Sequence, residues 1–167
     1  RIAGLAPVTM GELNLSAIQT EQSAVVGGYG VFVVNNIPRN RPEKIPAGLL
    51  IGHLGSNPMF QPFGVEKFQW DPKTRRFASA WVNTKVSSPN AVPWVSLGSN
   101  RIYFIGARDN EWTLEALDWD TGKSDFHYII GDQKFNSLYS GVVINDDGSV
   151  MYGTSWGRAK IRPKPSR

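Results

Sequence analysis

Hydrophobic and polar residues alternate along this chain in short runs, which are separated by turns rich in glycine, asparagine and aspartate. The clearest succession predicts four strands, at residues 92–97, 101–107, 112–118 and 125–130. In the third of these, every second position is apolar, which is the two-residue period of a strand with one face packed against a neighbour. Short runs joined by tight turns are typical of hairpins, so the pattern predicts an antiparallel meander.

The meander recurs along the chain. Residues 63–77 align without gaps on residues 112–126, at an offset of 49. A second similarity, at an offset of 48, relates the hairpin in residues 91–106 to residues 137–154. A period of about 40 to 50 residues indicates a β-propeller, in which each repeat is a four-stranded blade.

The predicted fold is therefore all-β, with antiparallel four-stranded blades of a β-propeller and about three blades in this chain. Residues 1–167 are interpreted as a single propeller portion, with blade boundaries near 28–83, 91–131 and 137–167. The predicted strands include 48–54 in the first blade and 138–144 in the third. Closed propellers usually have at least about four blades, because fewer cannot protect the sheet edges. We therefore expect an incomplete ring, finished by the rest of the same polypeptide or by a protein partner.

Residues 116–126, with the sequence ALDWDTGKSDF, carry a family resemblance. The segment resembles the tryptophan-docking motif of quinoprotein-type propellers, A-x-D-x-x-T-G-K-x-x-W, with phenylalanine in place of the final tryptophan. The matching residues are Ala116, Asp118, Thr121, Gly122 and Phe126. The resemblance implies a structural role, in which the aspartate and the Thr-Gly pair shape a turn and the closing aromatic packs against the next blade. It also implies a secreted or periplasmic setting.

Composition and charge narrow the possible functions. The chain has no cysteine, which excludes thiol nucleophiles and cysteine-ligated metals. No apolar run approaches the roughly 18 residues of a membrane span. The net charge is +4, but five basic residues lie in the tail 158–167, leaving 13 basic and 14 acidic residues before it. A nearly neutral body argues against nucleic acid as a partner, and the first residue, Arg1, places the expected start of the protein upstream.

Five residues are candidates for ligand binding. His53 lies on a predicted inner strand, where it could serve as a metal ligand or a general base, although a structural histidine fits the same position. Trp94 and Trp156 could stack on sugars or bases. Arg39 and Arg41 lie on a proline-rich loop predicted to project from the first blade, where they could bind an anionic group. The pattern of acidic residues predicts no metal site, and residues 145–148 fit a hairpin turn better than a calcium loop.

These observations favour a recognition or scaffold module that binds a protein or an extended ligand through its rim loops and channel mouth. The alternative is a propeller enzyme, either a quinoprotein-like oxidoreductase or a lactonase or hydrolase, whose channel site is completed by residues outside this chain. Quinone-dependent catalysis is disfavoured, because the family stacks its cofactor on a vicinal disulfide and this chain lacks cysteine. A structural role in an assembly is a third hypothesis. The sequence identifies neither a cofactor nor a catalytic residue.

Overall fold

The computed structural model describes residues 23–35, 64–89, 92–109, 111–154 and 156–163. These residues form eleven strands in three antiparallel sheets. The strands are β1 (Val25–Gly27), β2 (Gly30–Val34), β3 (Val65–Asp71), β4 (Arg76–Asn83), β5 (Trp94–Ser96), β6 (Arg101–Arg108), β7 (Glu111–Asp118), β8 (Ser124–Gly131), β9 (Val143–Ile144), β10 (Val150–Thr154) and β11 (Gly157–Ile161). Over these ranges, the helical structure is a single 3₁₀ turn at Gln133–Phe135. The all-β prediction is confirmed.

Each sheet is a meander in which neighbours in sequence are neighbours in space. Sheet 1 contains β1 to β4, sheet 2 contains β5 to β8, and sheet 3 contains β9 to β11, each in sequence order. The four strands predicted in sheet 2 all form, because its turns carry residues that tolerate a left-handed backbone. Asn100 closes the β5–β6 turn with a φ of 53°, and Asp109 lies in the β6–β7 turn with a φ of 50°. Four-stranded antiparallel meanders are the units from which the blades of a propeller are built.

Sheet 2 lies between the other two sheets. Its side chains Leu117 and Trp119 pack with Phe32 of sheet 1 in one hydrophobic core. On the opposite face, Trp112 and Leu114 pack with sheet 3 in a second core. The alternation of β7 therefore serves two interfaces, because successive side chains of a strand point to opposite faces. Each fully buried large side chain contributes about 1.5–3 kcal/mol, so the stacking of the sheets is a main source of stability.

Two predicted strands have different outcomes. The predicted strand 138–144 is wrong in its first half, and only Val143–Ile144 forms β9. Leu138 and Tyr139 have φ values of 42° and 66°, which belong to a turn and cannot continue a strand. The predicted inner strand 48–54 lies outside the described residues.

The part of the chain that the structure describes contains no helix with the length and hydropathy needed to cross a membrane.

Candidate functional site

The turn between β7 and β8 is built around the carboxylate of Asp118. Its Oδ1 accepts hydrogen bonds from the backbone N of Thr121 at 2.8 Å and from the Thr121 hydroxyl at 2.7 Å. The backbone N of Gly122 donates to the Asp118 carbonyl at 2.9 Å. The hydroxyl bond is the main reason why the pKa of Asp118 is lowered. Gly122 has a φ of 68°, which a glycine adopts without the clash that a Cβ atom would cause.

Sheet 1 contains a similar turn between β3 and β4. The carboxylate of Asp71 accepts bonds from the Lys73 backbone N and the Thr74 hydroxyl, both at 2.8 Å. Arg75 occupies the glycine position with a φ of 54°, so this turn carries a non-glycine residue in a left-handed conformation. The threonine bond also lowers the pKa of Asp71. The aspartate-threonine turn is therefore a repeated element of the blades.

The turn and the strand ladder repeat at different offsets. Trp70 and Trp119, 49 residues apart, make the same backbone bond to the residue that precedes the second strand of their sheet. The turn aspartates Asp71 and Asp118 are only 47 residues apart. A two-residue difference keeps each side chain on its original face, because side chains alternate with a period of two. The repeat therefore tolerates this shift.

Side chains of sheet 1 dock on the β7–β8 turn of sheet 2. The indole nitrogen of Trp81 donates to the Trp119 carbonyl at 3.0 Å, and the Lys67 ammonium donates to the same oxygen at 2.8 Å. The Asn83 amide donates to the Gly122 carbonyl at 2.8 Å. A Cβ atom on Gly122 would lie 2.4 Å from the Trp81 ring. The ring thus rests directly on the glycine backbone, and the turn is the point at which the two blades interlock.

Lys67 is an unusual member of this docking site because its side chain is buried. Its ammonium nitrogen lies 4.3 Å from the centre of the Trp119 ring, which adds a cation–π contact to the hydrogen bond. Burial lowers the pKa of Lys67, and the negative charges of Asp120 and Asp118 partly oppose that shift. The Asp120 carboxylate is 3.9 Å away and exposed. The lysine therefore joins the two sheets through contacts that are mostly shielded from water.

The other two residues of the predicted docking motif lie within sheet 2. Ala116 is fully buried and pairs with Phe126 across the β7–β8 ladder. The Phe126 ring lies 6.2 Å from Tyr103 and 5.2 Å from Tyr128, and both neighbours belong to the same sheet. The packing of Phe126 against another blade stays a prediction.

Two of the five candidate ligand-binding residues lie within the described part of the chain, and they belong to different sheets. Trp94 lies on β5, the first strand of sheet 2, with 43% of its surface exposed. Trp156 lies beside the β10–β11 turn and is 82% exposed. Arg39, Arg41 and His53 lie outside the described residues.

The first strands of the three sheets share an apolar, exposed character. Val26 on β1, Trp94 on β5 and Val143 on β9 are all exposed large hydrophobic side chains. The strands β1 and β5 contact each other, and Gly27 packs closely against Val95 of β5. Such side chains suit ligands with flat or apolar surfaces. Across the described ranges, no three histidine, cysteine or acidic side chains are grouped closely enough to hold a metal ion.

The sequence analysis did not single out Glu66 and Glu115, two glutamates that the structure buries completely. The Glu115 carboxylate accepts two bonds from the Arg108 guanidinium, each at 2.7 Å, and one from the Thr113 hydroxyl at 2.7 Å. The carboxylate of Glu66 has no hydrogen-bond partner among the described residues. Burial raises the pKa of Glu66. The nearby Ser79 hydroxyl opposes that rise only in part, because it does not reach hydrogen-bonding geometry with the carboxylate. Their spacing of 49 residues was the signal that could have identified them.

The fold and the docked turn define an array of propeller blades.

No family model matches the chain. A curated protein of Archaeoglobus fulgidus, described as an uncharacterized protein, is 36% identical over 168 residues, which cover 96% of this chain and 32% of the relative. The chain thus spans about a third of that relative. A europium-containing methanol dehydrogenase structure matches 79% of this chain and 19% of its own, with a TM-score of 0.47 and 14% identity. That likeness is too distant to indicate a function.

Proposed function

We propose that this chain is part of a β-propeller that acts as a recognition or scaffold module, binding a protein or an extended ligand at its channel mouth and rim loops. The observation that carries the proposal is the exposure of Trp94 on β5. Soluble proteins usually bury tryptophan, so a half-exposed indole on a strand, as opposed to a mobile loop, marks a surface that a ligand can cover.

The position of Trp94 suits a binding role for a second reason. β5 is hydrogen-bonded to β6 with Trp94 opposite Tyr103, so the backbone that carries the indole is held in a sheet. A preorganised aromatic side chain loses little entropy when a ligand stacks on it. The neighbouring first strands add Val26 and Val143 as exposed apolar contacts. The geometry therefore favours a ligand that lies along the first strands and presents flat apolar surfaces.

The rim-loop part of the proposal concerns Arg39 and Arg41. In this proposal both guanidinium groups bind carboxylate or phosphate groups of the partner, for which their planar donor geometry is well suited. The finer assignment to the quinoprotein-type superfamily is supported by the repeated aspartate-threonine turn of Asp71 and Asp118. Because members of that superfamily are secreted or periplasmic, we also propose this setting for the protein.

Binding by Trp94 is tested with two probes that need an aromatic platform, a neutral hexasaccharide and a proline-rich peptide, using isothermal titration calorimetry. The variant Trp94→Ala should weaken binding of the recognised probe by about 5-fold to 150-fold, since stacking on one aromatic ring contributes about 1–3 kcal/mol. Trp156→Ala tests the second candidate tryptophan in the same way, and Ile129→Ala, which removes an exposed apolar side chain on β8, is the control that should bind like the wild type. Reversing charge with Arg39→Glu and Arg41→Glu should weaken capture of an anionic peptide without lowering the melting temperature.

Two results would contradict the proposal. One is equal loss of binding in the Trp94→Ala and Ile129→Ala variants, which would make the effect nonspecific. The other is cofactor-dependent turnover that disappears in His53→Ala while the fold is retained, which would favour the alternative of a propeller enzyme. Failure of wild-type protein to bind either probe would also exclude these two ligand classes.

A further inference from the structure

Within sheet 1 and within sheet 2, the two hairpin turns lie at the same end of the sheet, because the strand direction reverses at every step of an antiparallel meander. One backbone bond joins the two turns of each sheet. The backbone N of Trp70 donates to the Tyr29 carbonyl at 2.8 Å in sheet 1, and the backbone N of Trp119 donates to the Asn100 carbonyl at 2.9 Å in sheet 2. The β1–β2 turn is thus held beside the β3–β4 turn, and the β5–β6 turn beside the β7–β8 turn.

The two inner turns each carry a large apolar side chain. Tyr29 in the β1–β2 turn is 60% exposed, and Leu97 in the β5–β6 turn is 58% exposed. The two turns adjoin, since a Cβ atom on Gly27 would lie 3.2 Å from a methyl group of Leu97. β1 and β5 therefore end side by side, and the four turns form one continuous face, which we call the turn surface.

The two outer turns of the turn surface are basic. Lys73 and Arg75 lie in the β3–β4 turn, Arg76 begins β4, and Lys123 precedes the first residue of β8. All four side chains are exposed, and none forms an ion pair with a carboxylate of the described residues. These four cations remain available to an external anion.

The acidic side chains of the same turns are already engaged. The carboxylates of Asp71 and Asp118 accept the hydrogen bonds that build their turns, and Asp125 pairs with the guanidinium of Arg101. The Asp120 carboxylate lies 3.9 Å from the ammonium of the buried docking lysine. Because each carboxylate faces a donor of this chain, the turn surface presents an excess of positive charge to its surroundings.

Sheet 3 limits the turn surface on one side. Its β9–β10 turn carries Asp146 and Asp147 in place of an apolar residue, and Asp147 pairs with Lys160 at 3.2 Å. Acidic residues repel an anionic partner. The face that combines apolar tips with basic neighbours therefore belongs to sheets 1 and 2.

We infer that the turn surface docks on a membrane of anionic phospholipids, with the Tyr29 and Leu97 side chains among the headgroups and the basic residues against the lipid phosphates. Apolar tips on projecting turns need no preformed pocket in a bilayer, whereas a protein partner must supply one. Tyrosine is favoured at the membrane–water interface, and each Lys or Arg near an anionic leaflet strengthens binding. The inference goes beyond the ligand binding proposed at Trp94 and does not depend on it.

The test is cosedimentation of the full polypeptide with lipid vesicles. One set contains phosphatidylcholine alone, and the other contains about one third phosphatidylglycerol. The protein should bind the anionic vesicles about a hundredfold more tightly or better, since four basic residues contribute about fivefold each. Salt at about 1 M should weaken this binding, because the Debye length is then about 3 Å. Equal binding to the two kinds of vesicle, or binding to neither, would overturn the inference.

Matched variants of the apolar tips locate the contact. Leu97→Ser and Tyr29→Ser should each weaken vesicle binding about tenfold, because each removes an apolar side chain from the lipid. Ile129→Ser is the control and should bind like the wild type. Ile129 is 59% exposed but lies towards the other end of sheet 2, where it pairs with Thr113 near the start of β7. Equal effects of Leu97→Ser and Ile129→Ser would contradict docking through the turn surface.

A second pair of variants tests the charge. Lys123→Gln should weaken vesicle binding about fivefold, which is the contribution of one basic residue near an anionic leaflet. Arg158→Gln should leave binding unchanged, because Arg158 is exposed at the other end of sheet 3, opposite Gly153. Equal weakening by the two substitutions would contradict the inference. Binding to soluble polyglutamate that Lys123→Gln weakens and Leu97→Ser does not, without binding to vesicles, would overturn it in favour of an acidic protein partner.

Discussion

The close approach of Trp81 to Gly122 makes a glycine-to-alanine series a direct test of how the blades interlock. Gly122→Ala places a methyl group 2.4 Å from the ring and forces alanine to a φ of 68°. Gly28 has a similar φ of 57° with no atom within 4 Å of the new methyl group. Gly98 has neither feature, since it has no nearby atom and no left-handed φ. The three variants therefore separate backbone strain from the clash with the ring.

The magnitudes follow from these three environments. Gly98→Ala should stabilise the protein by about 0.4–1 kcal/mol, because alanine restricts the unfolded chain. Gly28→Ala should cost about 1–2 kcal/mol from its left-handed backbone. Gly122→Ala carries the same backbone cost and a further 1–3 kcal/mol or so of overpacking, for a total of about 2–5 kcal/mol. At about 2–4 °C per kcal/mol for a protein of this size, the melting temperature should fall by roughly 4–20 °C.

The assay is thermal and urea unfolding of the four proteins, followed by a double-mutant cycle. In a Trp81→Leu background the smaller side chain leaves room for the methyl group, so Gly122→Ala should cost only its backbone share of about 1–2 kcal/mol. Equal losses for Gly28→Ala and Gly122→Ala would refute the reasoning, because the ring would then contribute nothing. A Gly122→Ala cost that is unchanged in the Trp81→Leu background would refute it in the same way.

Three further predictions concern ionisable groups. The Ser149 hydroxyl and backbone N, helped by Lys160, lower the pKa of Asp147 to about 2. The resulting stabilisation is present above about pH 4 and is lost as the pH falls towards 2. In Asp147→Asn the free energy of unfolding should therefore fall less steeply between pH 4 and pH 2 than in the wild type. An unchanged slope in that range would contradict the prediction. The raised pKa of Glu66 means that stability falls as pH rises above 4.5, so Glu66→Gln should be more stable than wild type at pH 7 and equal to it at pH 4. Glu115→Gln should instead lose about 1.5–3 kcal/mol at pH 7, because it breaks charge-assisted bonds, and the same sign for both glutamine variants would contradict their assigned environments.

The strands of sheet 2 could be predicted because their signals are local. Each run alternates, and each turn contains residues such as Asn100 that accept a left-handed backbone. β1 was not identified in this way, because Val25–Gly27 has two adjacent valines and no alternation. It forms because its partner β2 and the adjacent blade cover it. β9 was overestimated because the apolar residues Leu138 and Tyr139 resemble a strand, whereas their backbone turns.

The docking site was only half predictable from sequence. The β7–β8 turn was recognised because the Asp118 and Thr121 bonds are made between residues three positions apart. The docking ring of Trp81 was not, since it comes from another blade and depends on a bulge opposite Lys67 and Phe68. The extra residue in β4 places Trp81 on the face opposite to Ser79, although the two are two positions apart. A count of alternating positions cannot detect such a reversal.

The two buried glutamates show what a repeat does and does not preserve. Glu115 pairs with Phe104, whose ring packs towards sheet 1, so the carboxylate faces the preceding blade. Glu66 pairs with Val33 and therefore lies on the face of sheet 1 that is turned away from sheet 2. The repeat thus conserves the direction in which the glutamate side chain points. It does not conserve the charge partner: Arg108 lies at the end of β6, whereas β2 ends at residue 34 without a basic residue. A fully buried carboxylate without a hydrogen-bond partner costs free energy, so a donor placed opposite Glu66, as Arg108 is placed opposite Glu115, would increase stability.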